Sequence, residues 1–292
     1  MDTRNELLIV TMLAGLCVIL YGNGMCVAGA ESRPVPDNMT KWGPKLTPEE
    51  EARVAGLSTP ELVEMLKHGP DTMHAFAALK QLKSEAHGGL AKNFDLLLAA
   101  AETGGDMIVA GLVMPVEQSS SEEERQRTDK FIDFLSAQLH KEKPSVSRDQ
   151  AVTSLAQSVY PHPKWYPPMP RKEDLIPQPV SYANDRVVGI LTECLDHSDR
   201  RAREAAIHWL GAIGANDLAK TGDVEALLKA QVAKEEGFAE KEPPEKREKT
   251  VASMQKVIAE SIERLAHERE MRSPPKPFHP WRRPTSQSIG SQ

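Results

Sequence analysis

Aromatic residues make up only 5% of this 292-residue chain, and no stretch alternates apolar with polar residues over the length of a strand. A β-sheet therefore has no support in the sequence. Cysteine is equally scarce, at three residues, with no Cys-x-x-Cys or Cys-x-x-Cys-His. This excludes a disulfide framework and covalent haem attachment on motif grounds. An excess of positive charge is missing too: 36 Lys and Arg stand against 42 Asp and Glu, a net charge of −6. Such a balance leaves no electrostatic footprint for nucleic acid. There is no Gly-x-Ser-x-Gly, and the pairs Gly88-Gly89 and Gly104-Gly105 lack any P-loop context.

The longest uncharged run is at the N-terminus. Leu7 to Leu20 carries no charge, YGNGMC interrupts it, and Ala28 and Ala30 form a small-x-small signal. This pattern predicts a signal peptide over 1–30, cleaved after Ala30, and hence an exported chain that is periplasmic or secreted. The alternative is an uncleaved anchor, since Leu7–Ala30 is long enough to span a bilayer core if helical. Gly22, Asn23, Gly24 and Gly29 weaken that helix. Neither Cys17 nor Cys26 follows a small residue, which argues against a lipoprotein. Removal of the segment leaves Cys194 as the one cysteine and a net charge of −5, so stability rests on packing.

After a polar, Pro-bearing linker (31–58, with a short helix starting near Pro48), the pattern is helical from 59 to 270. Three interruptions punctuate it. SSSEEER (119–125) reads as a loop leading into a helix. Residues 160–179 carry seven prolines, which fix φ and deny helical hydrogen bonds, so they read as an extended crossover. KEPPEKREK (241–249) reads as another break. From 271 to 292 the chain is Pro-rich and weakly basic, a disordered tail by composition.

Residues 184–214 are the most informative. Val187, Ile190, Leu191, Cys194 and Leu195 share one helical face. His197, Ser198 and Asp199 then interrupt, with Asp199 placed to cap the next helix. There Ala202, Ala205, Ala206, Trp209, Leu210 and Ile213 form a buried stripe, and Gly214 supplies the stop. Arg203 sits one turn from Asp199 and is expected to reach back to it. The pattern predicts an antiparallel helix pair whose small alanines admit a close neighbour.

The order Leu191, Leu195-Asp196, Asp199, Arg203, Ala206, Leu210-Gly211, Ile213-Gly214 resembles a HEAT repeat, in which an aspartate, an arginine and an alanine recur at these intervals. Fainter copies precede it. Arg148, Ala151 and Leu155 match the spacing of Arg203, Ala206 and Leu210; Asp71, Ala78 and Leu82 do so with His74 near the arginine position; 94–114 repeats only the apolar face. The resemblance implies an all-α fold of antiparallel helix pairs stacked as a short HEAT-like solenoid. It also implies binding of other macromolecules on a curved surface. Residues 223–236 and 250–269 extend the array, and the last helix, with Val251, Met254, Ile258, Ile262 and Leu265 spaced by three and four, reads as its terminal cap.

Chemistry is thinly supported. Cys194-x-x-His197 lacks two further zinc ligands and reads as a core thiol beside a turn imidazole. Glu204–His208 and Glu263–His267, each one turn apart, read as solvated neighbours rather than di-iron ligands. No cofactor or metal is called for. The expected function is that of a binding or scaffold module in the cell envelope with a protein partner. Its candidate contacts are Arg200, Arg201 and Arg203 on the repeat, and His162, Trp165 and Tyr166 on the crossover, where aromatic residues either anchor a partner or pin the segment to the array. Two alternatives stay open: an enzyme or accessory subunit with a site near His162 and His208, and a membrane-tethered structural protein.

Overall fold

The computed structural model describes residues 46–69, 71–113, 121–160 and 180–272. Among them every regular element is helical and no strand occurs. The helices are α1 (Pro48–Ala55), α2 (Thr59–His68), α3 (Thr72–Leu82), α4 (Gly89–Gly104), α5 (Asp106–Leu112), α6 (Glu122–His140), α7 (Arg148–Val159), α8 (Asn184–Cys194), α9 (Arg200–Ile213), α10 (Thr221–Ala239) and α11 (Pro244–Arg272).

Their starts are written locally. Thr47 and Ser121 cap α1 and α6 through capping boxes closed by Glu50 and Glu124, and Glu61 Oε2 accepts from the Ser58 N–H ahead of α2. The Asp71 carboxylate accepts from the N–H groups of Met73 and His74, and Asp199 accepts from Arg201 N–H as expected. These oxygens satisfy amide donors that the first helical turn leaves free. Helix α1 brings the start of the helical region to Pro48. At the other end, 244–249 belong to α11, not to a break: Pro244 stands at its first position, where a missing N–H costs nothing.

Neighbouring helices pack in pairs: α2 with α3, α4 with α5, α6 with α7, α8 with α9, α10 with α11. The second members also touch in succession, α3 to α5, α5 to α7, α7 to α9 and α9 to α11. Helix α7 lies innermost. It contacts α5, α6, α8 and α9, and all but three of its residues are buried, including Gln150, Ser154, Gln157 and Ser158. The apolar stripe of α9 falls largely where the alanine spacing puts it: Ala202, Ala206, Leu210 and Ile213 are fully buried, with Ala205 and Trp209 half-buried at its edge.

Helix α9 stops at Gly214 as expected, and both glycines of Leu-Gly-x-Ile-Gly also admit close neighbours. Gly214 has φ −61°, an ordinary right-handed value, so it does not end α9 by a left-handed turn. What it also provides is room: a Cβ there would lie 2.5 Å from Leu210 O and 2.7 Å from Val224 Cγ1 of α10. Gly211 does the same toward α11, where a Cβ would meet the Ser261 carbonyl oxygen at 2.4 Å and its Cα at 2.9 Å. Two adjoining helices thus approach α9 through its two glycines.

Candidate functional site

The three candidate arginines at the start of α9 do not form a patch. Arg201 is exposed, Arg200 is half-buried with Nη2 donating to Ser253 Oγ at 3.0 Å, and Arg203 is 3% exposed. Arg203 does not reach back to Asp199. Its Nε and Nη2 donate to the two oxygens of Glu235 on α10, at 2.8 and 3.0 Å. Its Nη1 donates to the carbonyls of His197 and Ser198, and its guanidinium lies 3.9 Å from the centre of the Phe238 ring. A side chain so enclosed offers nothing to a partner. It joins α9 to the preceding turn and to the next helix.

Arg148, at the matching sequence position one pair earlier, makes a looser and more exposed version of these contacts. Its Nη2 donates to Lys141 O at 2.8 Å and its Nη1 to Asp199 Oδ2 at 3.4 Å. Each arginine therefore ties the turn before its own helix to an acid of the following pair. His74 holds the corresponding place in α3, buried, with Nδ1 3.0 Å from both Asp71 oxygens.

A polar and aromatic cluster gathers where α7, α9 and α11 meet. Trp209 donates through Nε1 to Thr153 Oγ1 at 3.2 Å and meets the Tyr160 ring edge-on at 5.9 Å. The Tyr160 hydroxyl donates to Glu268 Oε1 at 2.7 Å. Burial, and then the Glu268 carboxylate, raise this phenol above its ordinary pKa. The Arg264 guanidinium lies 5.7 Å from the Trp209 ring centre, and its Nη1 is 2.7 Å from His208 Nε2. His208 thus faces Arg264 across the helix junction. The arrangement is half-open, cationic at Arg264 and aromatic beneath. Residues 161–179 lie outside the described residues, and with them His162, Trp165 and Tyr166. Tyr160, the first aromatic of that group, serves as a pin for the end of α7.

Cys194 is buried and unpaired, and burial pushes its thiol up to about 12. The thiolate is the reactive form, so a maleimide is expected to leave Cys194 unmodified in the native protein and to label it fully in denaturant, as read by mass spectrometry. Rapid native labelling would contradict this placement. His197, three residues on, is held by the backbone: Nδ1 accepts from Asp199 N–H at 2.9 Å, and Nε2 lies 3.2 Å from Leu139 O. Among the described residues no group of three His, Cys, Asp or Glu side chains is placed to hold a metal ion, and no helix is long and apolar enough to cross a membrane.

Residues that sequence spacing did not single out prove central: Glu235, Arg264 and Glu268. Glu235 had a signal, since it continues the spacing Val224, Leu228, Gln231, all of which are buried. Compared with protein-family models, curated proteins and solved structures, the chain matches none.

Proposed function

We propose that this chain is an exported helical-repeat module that binds a protein partner in the cell envelope, with its pairs stacked as a short HEAT-like solenoid. The observation that carries the reading is the repeated arginine: Arg148 and Arg203 each clasp the preceding turn and an acid of the next pair. A contact that recurs at equivalent positions of successive pairs is what stacking identical units produces. The succession of second helices from α3 to α11 supports the same arrangement. The signal-like segment before Ala30 supports export, and the half-open cluster at Tyr160, Trp209 and Arg264 supplies an aromatic and cationic surface of the kind that anchors interfaces.

Cross-linking and pull-down from the native envelope tests the reading. Wild-type protein is expected to recover a defined partner, with the mature N-terminus following Ala30. The double variant Trp165→Ala, Tyr166→Ala is expected to lose that partner while keeping its unfolding midpoint. A destabilised variant that still captures the partner would assign those aromatics to the fold. Failure of wild-type protein to retain any partner would overturn the binding function.

A further inference from the structure

We propose that His208 and Arg264 form an acid-sensitive latch between α9 and α11, which holds the guanidinium over Trp209 at neutral pH and releases it on acidification. The geometry sets the requirement. A guanidinium has only donors, so Nε2 of His208, 2.7 Å from Arg264 Nη1, must accept and the imidazole must be neutral. A proton on Nε2 would replace that hydrogen bond with two donors and two positive charges in contact. Trp209 lies beside both partners, its ring edge-on to His208 at 5.7 Å and its centre 5.7 Å from the Arg264 guanidinium.

The charged groups acting on His208 come from α11: Arg264, which opposes protonation, and Glu260, which favours it. Across the junction, α7 contributes Thr153 and Tyr160, the latter engaged with both Glu268 and Arg264. Glu204 stands one turn before His208 on α9 itself. Part of the imidazole faces solvent, but its packed edge loses hydration. That loss first, and Arg264 second, hold the His208 pKa below the ordinary histidine value. The sign follows. A group whose folded pKa is depressed contributes stability that is full above its unfolded pKa and is lost as pH falls through the folded one. The latch is therefore closed at neutral pH and opens as the solution becomes mildly acidic. Released from His208, the guanidinium can draw toward Glu260, one turn before it, or further onto the Tyr160–Glu268 pair that it already meets.

Nuclear magnetic resonance titration of the full chain tests the latch through the His208 ring signals and the Trp209 indole N–H. Wild-type His208 is expected to titrate below the ordinary histidine value, with the Trp209 signal moving over the same range. Arg264→Met is expected to shift the His208 midpoint upward and Glu260→Gln to shift it downward. His208→Gln, which keeps an acceptor but no titrating group, is expected to remove the Trp209 response. A midpoint at or above the ordinary value, or one that Arg264→Met leaves in place, would overturn the latch. The Glu260→Gln shift provides a separate reading should the arginine variant not fold.

Discussion

Alanine at position 203 is expected to lower the free energy of unfolding by about 3–5 kcal/mol, the usual consequence of stranding one member of a buried ion pair. Arg203 and Glu235 are 3% and 1% exposed, so neither can recover its hydration when the other is removed. Two further acceptors, the carbonyls of His197 and Ser198, lose the donor they share. Glu235→Ala is expected to cost a similar amount, since it leaves the guanidinium uncompensated against Phe238. The double variant Arg203→Met, Glu235→Leu separates two explanations. Apolar groups of similar volume remove both charges together, and a buried pair replaced in this way commonly loses little or even gains stability. Urea unfolding of the three variants gives the answer. Single variants that cost below about 1 kcal/mol would show that water reaches the pair, as it does for exposed ion pairs.

Alanine at Gly211 is expected to cost roughly 3 kcal/mol through overpacking. Its Cβ would fall against the Ser261 backbone, which cannot rotate aside as a side chain can, so α9 and α11 must separate. Gly189, on the exposed face of α8, provides the opposite case. Nothing lies within 4 Å of a Cβ there, and alanine is expected to stabilise the protein by about 0.5–1 kcal/mol by favouring the helix. Thermal unfolding of both variants checks the pair. Equal effects at the two positions would mean that helix propensity, not the closeness of α11, governs Gly211.

The features legible in the sequence are those decided within one or two turns. Asp199 precedes an apolar stripe with an amide to satisfy, and it caps α9. Ala202, Ala206 and Leu210 are periodic, and they are buried. The misreadings share a different cause. Asp199 is the acid one turn before Arg203, but Glu235, 32 residues later, is the one it meets. Gln231 and Glu235 look like surface residues of α10, yet they continue its buried stripe because Arg203 and the Leu195 carbonyl need partners there. Gly214 does follow the last residue of α9, as expected, but with right-handed backbone, and what bars a larger residue there is the closeness of Leu210 O and of Val224 on the next helix. For the candidate site the same limit holds. His208 reads as the neighbour of Glu204 four residues before it, but its closest polar contact comes from Arg264, 56 residues further on. Local spacing specifies elements; the choice among competing partners is made by packing.

The Tyr160–Glu268 bond joins residues 108 apart and links the end of α7 to the last turns of α11 without passing through α9. In a purely linear array each unit leans only on its immediate neighbours, and melting advances from an open end one step at a time. Here the last helix cannot detach alone, because its departure also uncovers Trp209 and strips Tyr160 of its acceptor. Everything from α7 onward is thereby drawn into a single cooperative block, with fraying deferred to the other end, where α1 rests on α3.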